Sequence, residues 1–129
     1  PFRLTTLDQR QRMFAAAGAH AMLVFHFDHG LAARTATEFI TMLAEEIGAV
    51  GVVTGSDFTF GKGREGTVAM LAEVGAHHGL SSVAVEPVVD ARGEPVSSSR
   101  IRRALQRGDC DTVTALMTRP FAVEGLVQH

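Results

Sequence analysis

Three hydroxyls running into a cluster of guanidinium groups, Val96-Ser97-Ser98-Ser99-Arg100-Ile101-Arg102-Arg103, are the residues of this chain best suited to handling an anion. If a helix begins near Arg100, its first N–H groups have no partner within the helix, and its dipole favours negative charge at that end. Ser97, Ser98 or Ser99 can supply the cap, and Arg100, Arg102 or Arg103 can fork onto a triphosphate or pyrophosphate. The same residue types also suit a plain serine-capped surface helix with its arginines in water, so the rest of the chain has to decide between the two.

A second candidate is Gly55-Ser56-Asp57-Phe58-Thr59-Phe60-Gly61-Lys62-Gly63. Asp57 offers a hydrogen-bond acceptor, and Phe58 and Phe60 offer ring surface. Gly61 and its neighbours let backbone amides approach a flat or anionic ligand. Alternation points Phe58 and Phe60 to one side, with at least one ring expected in the core. Gly61, Gly63 and Gly66 satisfy G-x-G-x-x-G, but the dinucleotide fingerprint sets its first glycine directly after a strand, whereas residues 56–60 intervene here. A Walker A loop fails too, because five residues separate Gly55 from Gly61 and Gly63 stands where a magnesium-binding hydroxyl is needed.

The remaining reactive side chains carry weaker signals. His26-Phe27-Asp28-His29 is compact but lacks a third or fourth ligand at a recognisable spacing, so no metal site is expected. His77 and His78 precede Gly79 at the end of a helical pattern, where the dipole accounts for them. Cys110 opens a helix and reads as a buried small residue, and Arg64 reads as solvated.

Composition bounds what these groups can do. With 129 residues, 46% hydrophobic, the chain suits one core, or a large fragment of something bigger. A formal charge of −2 excludes the strongly basic footprint of a general nucleic-acid binder, which leaves any polyanion site local to residues 100–107. A single cysteine permits no internal disulfide and fits a reduced, cytoplasmic setting. No apolar run approaches the length of about 18 residues that a membrane helix needs, and Pro1-Phe2-Arg3-Leu4 leads into a polar helix rather than a signal peptide. Tyrosine and tryptophan are absent, so the eight phenylalanines supply all aromatic surface.

The elements that must position these residues follow from periodicity. Helices are expected over 7–17, capped by Thr6 or Asp8, over 35–47 up to Gly48, over 67–78 up to Gly79, over 98–107 up to Gly108, and over 110–118. Strands are expected over 22–27, 50–54 and 82–86, with Pro87 closing the last, a turn over 90–95, and a strand outside the main rhythm over 121–127. This alternation implies an α/β fold whose parallel sheet is covered on both faces, with ligands at the carboxyl ends of its strands. The two candidate segments follow Thr54 and Glu86, at such ends.

Four stretches carry a resemblance: "LTTLDQRQRMF", "GSDFTFGKGREG", "EPVVDARGEPVSSSRIRRALQRGD" and "RPFAVEGLVQH". Together they resemble the bacterial bifunctional riboflavin kinase/FMN adenylyltransferase family, the prokaryotic FAD synthetases, nearly end to end. Val96, Ser97, Ser98, Ser99 and Arg102 are similar to the ISSTxxR-type signature of the nucleotidyltransferases, and the "DFTFGKG" loop narrows the match to the flavin branch. The resemblance implies a three-layer, Rossmann-like nucleotidyltransferase fold, present in part. It also implies FMN binding by Asp57, Phe58, Phe60 and Gly61, ATP phosphate binding by Ser97, Ser98, Ser99 and Arg102, and catalytic roles for Arg102 and Ser98.

The implied reaction is transfer of AMP from ATP to FMN, giving FAD and pyrophosphate, with magnesium carried by ATP and no protein metal site. Residues 1–118 would be the C-terminal portion of the adenylyltransferase domain and 119–129 the junction into a riboflavin kinase module. The GxFDGxHxGH segment with which the family begins has no counterpart in this sequence, so a fragment, or a chain inactive by itself, is expected. The alternatives are a dinucleotide-binding half-domain of the NAD(P) type built on the glycine loop, and a non-catalytic flavin- or nucleotide-binding fragment. The expected partners are the small-molecule substrates and the kinase module of the same polypeptide, with no nucleic acid and no membrane.

Overall fold

The computed structural model describes residues 2–125. In chain order the elements are α1 (Leu7–Ala16), α2 (His29–Ala33), α3 (Ala36–Thr41) running on into a π-helical turn (Met42–Glu46), β1 (Gly51–Gly55), β2 (Thr59–Phe60), a 3-10 turn (Lys62–Arg64), β3 (Gly66–Thr67), α4 (Val68–His77), β4 (Ser81–Val85), α5 (Ser98–Gln106) and α6 (Cys110–Met117). The chain divides into two compact units, Phe25–Pro87 and Pro1–Val24 with Val88–His129.

In the unit Phe25–Pro87, β1 and β4 pair in parallel with Gly51 opposite Ser81 and Gly55 opposite Val85, and α4 makes the crossover. The helices start where side chains can cap them. Thr35 and Glu38 form a reciprocal capping box at α3, and Thr67 Oγ1 accepts from Met70 N at α4. Ala36, Ile40, Phe60, Leu71 and Leu80 form the core, with Val52 packed against it from the inward face of β1. On the outward face Val53, Val83 and Val85 stand exposed, so the cover expected on both faces is observed on one. This is the mixed α/β architecture with a parallel sheet that the alternation implies.

In the other unit, Thr6 and Gln9 form a capping box on α1, Ser97 caps α5 and Asp109 caps α6. Helices α5 and α6 pack through Ile101, Ala104, Val113 and Leu116, joined by Leu4, Val96 and Phe121. The segment 88–96 folds back on itself: Val89 bridges Pro95, and Val96 N donates to the Val88 carbonyl at 2.8 Å.

Four expectations are corrected. Residues 22–27 form no strand, because a strand requires a hydrogen-bonding neighbour and none of the described residues pairs with them; Leu23 and Phe27 are consequently 66% and 80% exposed. Residues 121–125 are likewise not in a strand, and 126–127 lie outside the described residues. Residues 29–33, to which periodicity assigns no element, form the short helix α2, because the Asp28 side chain accepts from Leu31 N and nucleates it. Cys110 does begin a helix, but it is exposed rather than buried, since Val113 and Leu116 take the inward face of α6.

Candidate functional site

The glycine-rich loop is built around two stacked rings. Ser56 N donates to the Val85 carbonyl at 2.9 Å and Ser56 Oγ to Glu86 Oε2 at 3.1 Å, which ties the root of the loop to the carboxyl end of β4. Phe58 N closes a turn onto the Gly55 carbonyl. Asp57 is exposed, its Oδ1 only 2.9 Å from where a Cβ on Gly55 would lie, so a glycine is what lets this carboxylate fold back over the strand end. The short pairing of β2 with β3 then presents both phenylalanines on one side, as alternation requires. Phe58 stacks on Phe60 with centroids 5.5 Å apart and 19° between planes, and Phe60 meets Phe39 at 5.3 Å. Phe60 belongs to the core and Phe58 is half-buried, which sorts the pair into a floor and an accessible ring.

Two glycines of the apparent G-x-G-x-x-G, Gly61 and Gly66, are consumed by folding. Gly61 has φ 74°, and a Cβ there would come within 2.6 Å of Ala36 N; a Cβ on Gly66 would come within 2.6 Å of the Phe60 ring. The tight approach at Gly61 lets Lys62 N donate to the Arg34 carbonyl at 2.7 Å. Gly61 seats the hairpin against α3 and Gly66 makes room for the Phe60 ring, so neither opens space for a pyrophosphate.

Around Phe58 lies a cleft of about 360 Å³ walled by Phe25, Phe27, Leu31, Ala32, Phe39, Phe60 and Gly61, with Arg34 and Arg64 at its polar positions. Five of the eight phenylalanines of the chain line it. Of these, only Phe58 and Phe60 are legible in the sequence as site residues. The signal for the rest was available in the absence of other aromatics, but residues 25 and 27 were assigned to a strand.

In the other unit, Ser97 Oγ accepts from Arg100 N at 3.3 Å, so Ser97 is the capping serine, and Ser97, Ser98 and Ser99 are all exposed in or beside the first turn of α5. The three guanidinium candidates separate clearly. Arg100 is committed: it pairs with Asp90, reaches Glu94 Oε2 at 3.0 Å, and donates to the carbonyls of Glu94 and Pro95. Asp90 in turn accepts from the amides of Arg92 and Glu94. The Arg100 guanidinium, then the Glu94 and Arg92 amides, hold the Asp90 carboxyl below its ordinary value. Arg102 donates Nε to the Phe2 carbonyl at 2.7 Å and has no carboxylate partner among the described residues, which leaves its terminal nitrogens for another acceptor. Arg103 is exposed.

Charge is unevenly shared. The unit holding α5 carries nine Lys and Arg against six Asp and Glu, a formal +3, while Phe25–Pro87 carries three against eight, a formal −5. The phosphate-suited turn thus sits in the basic unit and the aromatic cleft in the acidic one. Among the described residues no three His, Cys, Asp or Glu gather to hold a metal, and no helix is long and apolar enough to cross a membrane.

The parallel pair β1–β4 and the aromatic cleft belong to one unit, and the hydroxyl-capped cationic helix α5 to the other. The chain belongs to the FAD synthetase family, whose family model, described as FAD synthetase, matches residues 1–100. Over its whole length the chain is 33% identical to the bifunctional riboflavin kinase/FMN adenylyltransferase of Escherichia coli strain K12, covering 41% of that protein. It is 37% identical, over 92% of its length, to the putative bifunctional riboflavin kinase/FMN adenylyltransferase of Geobacillus thermodenitrificans, covering 63% of it. To the FAD synthetase of Listeria monocytogenes it is 28% identical, over 98% of this chain and 51% of that one. It therefore spans from about two fifths to just under two thirds of these curated relatives. The crystal structure of a macrolide-efflux protein from Streptococcus pneumoniae superposes on 94% of this chain, and on 40% of its own, with a TM-score of 0.81 and 26% identity.

Proposed function

We propose that this chain is the flavin- and phosphate-binding portion of an FMN adenylyltransferase, the FAD synthetase half of a bifunctional enzyme that also phosphorylates riboflavin to FMN. In this reading residues 1–118 are the C-terminal portion of the adenylyltransferase domain, 119–129 lead into the kinase module, and the enzyme works in the cytoplasm on FMN and ATP. The observation that carries the reading is the half-buried Phe58 ring stacked on Phe60 within a cleft lined by phenylalanine. Such a wall suits a flat ring system. The dinucleotide alternative loses its support, because Gly61 and Gly66 are spent against Ala36 and Phe60.

The chemistry is attack of an FMN phosphate oxygen on the α-phosphorus of ATP. A bond forms between that oxygen and phosphorus, the bond from the α-phosphorus to the bridging oxygen breaks, and pyrophosphate departs with the electron pair. Little covalent work falls to the protein, whose tasks are positioning and neutralising charge on the leaving group. Phe58 and Asp57 would seat the flavin, with Phe60 and Gly61 shaping the floor of the cleft. Ser98, Ser99 and the amides that follow Ser97 would accept the phosphates of ATP, and the free nitrogens of Arg102 would meet the growing negative charge. Magnesium would arrive on ATP, with no protein ligand assigned to it.

The test is Arg102→Ala in a polypeptide carrying this chain together with the kinase module. Loss of one well-placed donor costs about 10²- to 10³-fold in rate. FAD formation from FMN and ATP should fall by about that factor while riboflavin phosphorylation is spared. Equal loss of both activities, or of neither, contradicts the assignment.

A further inference from the structure

We propose that residues 2–6 are a strap that positions Arg102 and that Leu4 anchors the strap, acting on adenylyl transfer through Arg102 without touching a substrate; the inference rests on the reading of Arg102 as a donor to the departing pyrophosphate. The segment forms neither helix nor strand. It is held to α5 at two points: the Phe2 carbonyl accepts from Arg102 Nε at 2.7 Å, and Leu4 packs against the cluster of Ile101, Ala104, Val113 and Leu116. Beyond Leu4, Thr6 N donates to Gln9 Oε1 at 2.9 Å and Gln9 N to Thr6 Oγ1 at 3.1 Å, which fixes the far end of the strap to the first turn of α1. Helix α1 is in turn tied to the segment after α6, since Gln9 Nε2 donates to the Ala122 carbonyl at 3.2 Å and Arg12 pairs with Glu124.

The kind of acceptor is what makes this a positioning contact. An arginine free on a helix surface samples many rotamers, and a donor that has to be gathered from them at each turnover loses rate. Arg100 is held by carboxylates, which fix it and neutralise it together. Arg103 is exposed and keeps both its charge and its freedom. Arg102 is half-buried and held by a neutral carbonyl, which orients the guanidinium plane, leaves the positive charge whole and keeps the two terminal nitrogens for a forked acceptor. Because that acceptor is backbone, its position depends on where the strap lies rather than on the side chain at position 2, and the side chain that decides where the strap lies is Leu4.

The experiment is a double-mutant cycle of Leu4→Ala and Arg102→Ala in the enzyme that carries this chain together with the kinase module, with kcat and KM for FAD formation, riboflavin phosphorylation and thermal midpoint measured for each protein. Leu4→Ala should lower kcat for FAD formation by about tenfold or more, within the roughly 10²-fold that a misplacement of about 1 Å can cost, while KM for FMN and riboflavin phosphorylation stay unchanged. In the Arg102→Ala background the same substitution should cost less than about twofold in kcat, although it lowers the thermal midpoint equally in both backgrounds. Leu4→Met, which keeps the volume, should restore kcat. Arg102→Lys keeps the charge but cannot hold the strap and present a fork at once, so it should lose nearly as much as Arg102→Ala; it leaves the core untouched and decides the matter if Leu4→Ala does not fold. Wild-type kcat in Leu4→Ala, an equal loss from it in both backgrounds, or retention of more than about a third of kcat in Arg102→Lys overturns the strap and leaves the reading of Arg102 standing. Undiminished FAD formation in Arg102→Ala overturns that reading and this inference with it.

Discussion

Truncation of the two stacked rings should have opposite consequences, because Phe60 is part of the core and Phe58 is the face it supports. Phe60 is 6% exposed, contacts the rings of Phe39 and Phe58, and lies against the backbone at Gly66. Phe60→Ala empties that volume, and such substitutions cost about 3–5 kcal/mol. With a urea slope of about 2 kcal/mol per molar, the unfolding midpoint should fall by about 2 M. That is a large share of a typical stability of about 5–15 kcal/mol. Phe60→Leu, which keeps most of the volume, should cost less than half as much. Phe58→Ala removes a half-buried ring, so it should cost about 1–2 kcal/mol of stability. Its main effect should be on flavin affinity, since stacking of a heterocycle on an aromatic side chain is worth about 1–3 kcal/mol, or roughly 5- to 150-fold. Urea melts followed by circular dichroism, with FMN titration of each folded variant, measure both quantities. An unchanged midpoint for Phe60→Ala, or undiminished FMN affinity for Phe58→Ala, would refute the division of labour.

Three further outcomes follow. Gly61→Ala meets both a positive φ and a clash with the Ala36 backbone, so it should destabilise by about 2–4 kcal/mol, checked by the same urea melts. Ser97→Ala removes the cap of α5 and should lower stability by about 1 kcal/mol while weakening pyrophosphate binding, read by thermal shift with and without pyrophosphate. The Asp90 carboxyl is held below its ordinary value, first by Arg100, so its contribution is complete above the unfolded value near pH 4 and is lost as pH falls through the folded one. Asp90→Asn should therefore flatten the acid side of the stability profile below about pH 4 and leave its slope near neutrality unchanged, as followed by unfolding at stepped pH.

What could be read from the sequence was what short-range chemistry decides. Thr6 or Asp8, and a serine among Ser97, Ser98 and Ser99, announced the starts of α1 and α5, of which Thr6 and Ser97 are the caps, and Gly48 and Gly79 marked where the helices before them stop. The apolar runs at β1 and β4 pair in parallel as their composition suggested. Residues 22–27 misled because apolar alternation states a willingness to pair, while a strand forms only where a neighbour is present. The π-helical turn over Met42–Glu46 had no sequence signal to the eye, as one extra residue per turn leaves the apolar spacing nearly intact. At the candidate site, the loop and the serine cap were visible as local oddities. The walls contributed by Phe25, Phe27 and Phe39 were not, because they join the loop only through tertiary folding. By residue type alone Arg100, Arg102 and Arg103 looked equivalent; the resemblance singled out Arg102, and the acidic turn at Asp90 and Glu94 takes Arg100 out of contention.

The central claim, that the phenylalanine cleft around Phe58 is a flavin site, is tested most directly by titrating the chain with FMN and, separately, with NAD while following ligand fluorescence and thermal midpoint. The account predicts saturable FMN binding that raises the midpoint and is weakened by Phe58→Ala, with no comparable response to NAD. Saturable NAD binding without FMN binding, or FMN binding indifferent to Phe58, would contradict it.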